Sequence, residues 1–185
     1  MNSLMMKTLR VAMLAPIAVL LAIPGLMDVA HAEEKKRWLK AGLEGVNEAP
    51  VVSTTGTGEF RARISGDNTS FEYALSFQDL EGDVTQAHIH VGQRSVNGGI
   101  SVWLCGTTTL PGPAGTPSCG GPRAGSATRT VTAADVIGPA GQGIAAGEFA
   151  ELLTLMRAGL TYANVHSARN AGGEIRGQIK SGGSD

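Results

Sequence analysis

Three of the chain's four histidines fall in two short segments, His88 and His90 in TQAHIHV at 85–91 and His166 at the end of TYANVH at 161–166. Successive side chains of a β-strand point to opposite faces, so His88 and His90 leave one face together, about 7 Å apart along the strand. Gln86 shares that face, and Ala87, Ile89 and Val91 make the apolar one. Neutral imidazole binds zinc and copper, and three imidazoles with an open fourth position suit either ion. Asn164 shares the face of His166, and Glu174 and Arg176 share one face of the next segment, EIRGQI at 174–179. If these polar faces meet, His88, His90 and His166 make a candidate copper or zinc site. Asn164 or Glu174 could then hold the second ring nitrogens and fix the tautomers. The competing reading is structural, with the imidazoles satisfying buried backbone groups or pairing with Glu174. Glu174 and Arg176 are expected to brace the hairpin, paired with each other or across strands.

Other chemistry finds no support in the spacing. No serine stands in a nucleophile elbow, both cysteines are better used as a bridge, and the glycines cluster in turns rather than in a phosphate-binding strand-loop-helix. No catalytic and no organic cofactor-binding residue is therefore assigned, and the expectation is a non-catalytic protein.

The elements that position these residues read mostly as strands. Phe60, Ala62 and Ile64 alternate with charged residues, and Phe71, Tyr73, Leu75 and Phe77 line one face of SFEYALSF at 70–77. SGDN at 65–68 is a turn by composition. Strands are expected over 85–91 and 100–104, and the loop SARNAGG at 167–173 should close a hairpin between 162–166 and 174–179. Phe149, Leu152, Leu153 and Met156 follow the helical period, with Glu148 and Glu151 in the first turn and Gly159 as the stop. A short helical turn at 133–135 is expected to be capped by Thr132. The fold class is mostly β, an antiparallel β-sandwich of immunoglobulin-like or superoxide-dismutase-like architecture with one short amphipathic helix.

Residues 1–32 read as an export signal: Lys7 and Arg10, then an apolar run over 11–26 broken by Pro16 and Pro24, then Ala30-His31-Ala32 as the cleavage pattern. Cleavage takes Lys7, Arg10 and Asp28 from 15 basic and 16 acidic residues, leaving 13 and 15 in a chain of 153. That near-neutral balance offers no stripe for nucleic acid, and no membrane span is expected after cleavage. Residues 33–38 should be a flexible tail, 39–180 one domain, and 181–185 a second tail. Export to the periplasm or the medium implies an oxidising setting, so Cys105 and Cys119 are expected to clamp the Gly/Pro-rich loop between them.

Four ordered motifs, AHIHVG at 87–92, NGGISVWL at 97–104, GLTYANVHS at 159–167 and GGEIRGQI at 172–179, with the opening LKAGLEGVNEAPVVSTTGTGEF at 39–60, resemble the CHRD domain, named after chordin. The resemblance implies a secreted binding module, with an extracellular or periplasmic protein as its partner class. His88-Ile-His90 and Asn170-Ala-Gly are also similar to segments of copper-zinc superoxide dismutase. That enzyme's paired metals need six histidines and an aspartate, so only a mononuclear copper redox protein survives as the alternative. A purely structural envelope or extracellular module is the third reading.

Overall fold

A computed structural model describes residues 37–182. The expected export signal, most of the N-terminal tail and residues 183–185 lie outside the described residues. Among the described residues, nine strands and one α-helix follow in the order β1 (Trp38–Glu44), β2 (Thr57–Ile64), β3 (Ser70–Gln78), β4 (Val84–Val91), β5 (Ile100–Gly106), β6 (Gly125–Thr132), α1 (Phe149–Arg157), β7 (Thr161–Ser167), β8 (Ile175–Gln178) and β9 (Lys180–Ser181). One continuous sheet contains them all, ordered β5-β4-β7-β8-β1-β2-β3-β6, with β9 also on β1. Every strand pair is antiparallel.

The expected strands, helix and closing hairpin are present, but the ladder does not divide into two sheets. The sheet curls until its edges, β5 and β6, nearly meet, which makes it a nearly closed barrel. Side chains and the β5–β6 loop bridge the remaining gap. Tyr73 of β3 donates its hydroxyl to the Leu104 carbonyl of β5, and Gly106 exchanges backbone hydrogen bonds of 3.0 and 2.9 Å with Pro117 and Cys119. The disulfide between Cys105 and Cys119, with Cα atoms 4.9 Å apart, ties the loop to β5 as expected.

Alternation builds the barrel interior. Phe60, Ala62 and Ile64 of β2 and Phe71, Tyr73, Leu75 and Phe77 of β3 are all buried, while the intervening residues are mostly exposed. Three strands escaped the sequence reading, the two-residue β9 and the longer β1 and β6. In β1, Leu39, Ala41 and Leu43 alternate as clearly as the others, whereas β6 carries only Ala127 and Val131 on its buried face, with the half-buried Arg129 between them. The helix α1 closes the barrel with Phe149, Leu152, Leu153 and Met156, all buried, and Phe149 stacks on Phe71 at 5.8 Å. Gly159 ends it at φ +72°, a left-handed conformation that glycine adopts without strain. At the 3-10 turn Ala133–Asp135 the cap works mainly in reverse: the Asp135 carboxylate accepts from the Thr132 backbone N–H at 2.8 Å and from its hydroxyl at 3.2 Å.

A candidate metal centre on the covered outer face

Strands β4 and β7 lie in the middle of the β5-β4-β7-β8 run, and almost every residue of both is shielded from solvent. Their inner face supplies Ala87, Ile89, Ala163 and Val165 to the core. Their outer face carries the polar set, and loops roof it over. Arg176 of β8 donates from Nε to the Asn47 carbonyl at 2.5 Å, Asn97 donates to the Ala49 carbonyl at 2.7 Å, and Gly98 N–H donates to the Tyr162 hydroxyl at 3.1 Å. A polar strand face that alternation alone would assign to water is thereby taken out of it.

Cross-strand register brings the histidines together. Gln86 lies opposite His166, His88 opposite Asn164 and His90 opposite Tyr162, so His166 stands diagonally beside His88. The expected meeting of faces therefore occurs: the ligand atoms of His88, His90 and His166 all lie within 4.8 Å of one another. Exposure of the three residues is 0, 8 and 6 %. Two nitrogens on a tetrahedral zinc, each about 2.0–2.1 Å from the ion, stand about 3.4 Å apart. A spacing at the 4.8 Å limit therefore has to close by about 1.4 Å when an ion binds.

Hydrogen bonds fix which nitrogens face the cluster. His90 Nδ1 lies 3.0 Å from the Gly98 carbonyl and His166 Nδ1 lies 3.0 Å from the Ala171 carbonyl. A carbonyl only accepts, so each Nδ1 carries the proton and each Nε2 presents a lone pair. His166 Nε2 lies 3.2 Å from His88 Nδ1. The Nε2 atoms of His88 and His90 are buried with no hydrogen-bond partner. Gly98 makes its bond possible by close approach, since a Cβ there would sit 1.6 Å from the Val91 carbonyl oxygen.

Aromatic rings wall the cluster. Trp103 of β5 meets His88 edge-on with centroids 4.4 Å apart, and Tyr162 stacks flat on His90 at 4.9 Å. Burial pushes the His88 imidazole far below its ordinary pKa, with His166 and His90 adding to the effect. Burial also lowers His90, to about 4, although the Gly98 carbonyl favours its charged form. His166 is lowered by burial too, against the opposing pull of the Ala171 carbonyl. All three rings are thus neutral at pH 7, the state that binds a metal.

The remaining site residues are arranged otherwise than the sequence reading expected. The second ring nitrogens of His90 and His166 are held by backbone carbonyls, not by Asn164 or Glu174. Asn164 instead donates to Glu48 Oε1 at 2.7 Å and to the Ile175 carbonyl at 3.0 Å. Nor do Glu174 and Arg176 form the brace. Glu174 Oε1 accepts from the Thr54 hydroxyl at 2.7 Å and the Glu81 N–H at 2.6 Å, and Oε2 accepts from the Gly82 N–H at 3.2 Å and from Ser167. Arg176 faces Glu48, with Nε 3.7 Å from Oε2, and stacks over Tyr162 at 4.8 Å. The reason is that β8 starts at Ile175, which leaves Glu174 in the loop outside the strand's alternation.

Glu48 is the member that sequence reasoning missed. It sits in the irregular segment after β1, where no periodicity marks it. Burial raises its carboxyl to about 7, opposed by the Asn164 hydrogen bond and the Arg176 charge. One signal did exist downstream in the Gly-Gly pair at 172–173. Gly173 adopts φ +129°, and a Cβ there would lie 2.6 Å from Asn164 Nδ2 and 2.7 Å from Glu48 Oε1.

No helix among the described residues is long and apolar enough to cross a membrane. No curated protein and no solved structure matches the chain. The family model for the CHRD domain matches residues 39–179, from the second residue of β1 to the residue after β8. The chain therefore belongs to the CHRD domain family.

Proposed function

We propose that this CHRD domain is an exported, non-catalytic binding module that holds one copper or zinc ion with His88, His90 and His166. The observation that carries the reading is the pair of Nδ1–H bonds to the Gly98 and Ala171 carbonyls. They aim the Nε2 lone pairs of His90 and His166 at a shared, buried space. A purely structural trio would be expected to spend its lone pairs on donors, yet two Nε2 atoms have none. Orientation of a ligating imidazole by a carbonyl on its other nitrogen is the usual supporting arrangement around a metal. The ion would supply a Lewis acid or, as copper, a redox centre; the protein's residues set the neutral ligands, their aim and the dry surroundings. Export to the periplasm or medium accords with the disulfide, and an extracellular or periplasmic protein is the expected partner class.

Elemental analysis of the purified protein, with copper and zinc titration beside a His88→Ala/His90→Ala variant, tests the reading. Near-stoichiometric metal in the parent and its loss in the variant is the expected result. Equal, negligible metal in both would make the trio structural. Turnover of superoxide by the copper-loaded protein would replace the non-catalytic reading with a mononuclear copper redox protein.

A further inference from the structure

We infer that the histidine trio selects the cuprous ion, by charge, over zinc and cupric copper. This rests on the reading of His88, His90 and His166 as a metal site. Three observations favour a single positive charge there.

The donors bring no negative charge, and the groups set against them are neutral as well. They are the Trp103 ring at His88, the Tyr162 ring at His90, and the Gly98 and Ala171 carbonyls on the two Nδ1 atoms. Glu174 spends its carboxylate elsewhere, on Thr54, Glu81, Gly82 and Ser167. Because the Nε2 atoms of His88 and His90 are buried, an ion held by them gives up its water. The Born cost of that transfer grows with the square of the charge, so a divalent ion faces roughly four times the cost of a monovalent one.

A fixed cation adds to the bias. Arg176, itself 3 % exposed, lies 4.8 Å over the ring of Tyr162, which in turn stacks on His90 at 4.9 Å. Its charge reaches His90, where it disfavours a second positive charge. Repulsion of a bound ion doubles with that ion's charge. Glu48 offsets the guanidinium in part, with Oε2 3.7 Å from Nε, but burial raises its carboxyl to about 7 and leaves the compensation incomplete near neutral pH.

The third observation is the ligand count. Zinc takes four ligands and fills a fourth position with water or substrate. His88, His90 and His166 offer three nitrogens, and the two rings and the roofing loops leave them 0, 8 and 6 % exposed. A filled-shell cuprous ion is satisfied by three nitrogens in a plane, so it asks for no water in this dry space.

Anaerobic competition titrations of the metal-free protein at pH 7 test the inference. Cuprous ion is supplied as its acetonitrile complex against bicinchoninate, and zinc and cupric salts compete with chromophoric chelators. Cuprous binding should be at least about tenfold tighter than that of either divalent ion, and should be lost in His88→Ala/His90→Ala. A tenfold preference over the cupric ion raises the copper potential by about 59 mV above that of the aqueous couple, which voltammetry reads independently. Gln86 is half-buried and lies opposite His166 in the register. Gln86→Glu puts a carboxylate beside the trio and should move the preference several-fold toward zinc, with an unchanged circular dichroism spectrum. Zinc or cupric ion bound as tightly as cuprous ion through the same histidines would overturn the inference and leave the metal site standing. No binding of any of the three ions would overturn both. A cuprous preference that Gln86→Glu does not move would also overturn the inference, since charge would then not make the choice.

Discussion

His88 Nδ1 lies 3.2 Å from His166 Nε2, so two members of the trio share a single proton-sized gap. Because the Ala171 carbonyl fixes the His166 proton on Nδ1, His88 must be the donor, and a metal that takes His166 Nε2 displaces that donor. All three imidazoles are held neutral by burial well below their ordinary pKa. Protons therefore compete with metal only at lower pH than at an exposed histidine site, where competition sets in near about 6.5. Zinc affinity should therefore begin to fall only at a lower pH than at an exposed histidine site. Competition titrations with a chromophoric chelator at several pH values measure it, and a steady decline starting at pH 7 would count against neutral, buried ligands.

The same groups give the metal-free fold two opposed pH dependences. His88 and His90 have folded pKa values depressed below the unfolded value. Their contribution is fully present above about 6.5 and is lost as pH falls toward about 4, where His90 titrates. Glu48 is raised to about 7, so its contribution is fully present below its ordinary 4.5 and is lost as pH rises through 7. Urea unfolding of the metal-free protein should show both limbs. Glu48→Gln keeps an oxygen for Asn164 and should remove only the fall in stability with rising pH between 4.5 and 7, leaving the histidine limb, which rises with pH. A fall between pH 4.5 and 7 that survives in this variant would assign that limb to another group.

How far this site could be read from sequence follows from which interactions are local. Period-two alternation places His88 and His90 on one face because it needs only their spacing. Their meeting with His166 depends on the pairing of β4 with β7, which joins His88 and His166 across 78 residues of chain, and no local rule gives the register that sets His88 diagonal to His166. Burial of the polar face was hidden for a related reason. Alternation reports which residues differ, not whether a loop later roofs the polar set. Glu48 lies in such a roof. The signal that could have exposed it is Gly173, whose Cβ position is already taken up by Asn164 and Glu48. The leap from two carboxylate-arginine neighbours to a brace failed because a strand boundary fell between Glu174 and Arg176. In the barrel, β1 was as legible as β2, whereas β6 was not, since threonine, serine and arginine fill most of it.

Glu174 is expected to act as a structural clamp rather than as part of the metal centre. Burial alone would raise its carboxyl, but hydrogen bonds from Ser167, Glu81, Thr54 and Gly82 outweigh that and hold it below the usual range. Glu174→Ala leaves the Glu81 and Gly82 N–H groups without their acceptor, at a cost of roughly 1–3 kcal/mol for each buried donor. Because the depressed pKa makes its contribution present above about 4.5 and lost as pH falls, parent and variant should converge in stability in acid. Denaturant unfolding at pH 7 and pH 3 checks both statements, with metal stoichiometry unchanged at pH 7. Loss of metal from a still-folded Glu174→Ala protein would return this carboxylate to the site.

The disulfide should protect the trio through Trp103. The loop it closes presses on that ring, since a Cβ at Gly112 would lie 2.6 Å from Trp103 Cε3, and Trp103 in turn covers His88. Closing a loop of this size, with its cysteines 14 residues apart, contributes roughly 3 kcal/mol through the unfolded chain. Cys105→Ser/Cys119→Ser should lower stability by up to that amount. In a Trp38→Phe background, which leaves Trp103 as the only tryptophan, its emission should move to the red as the loop lifts and water reaches the ring. Readier access of water to His88 raises its pKa toward the ordinary value, so zinc affinity in this variant should begin to fall at higher pH than in the parent. A red shift without any change in that pH profile would mean that Trp103 covers the cluster without controlling its protonation.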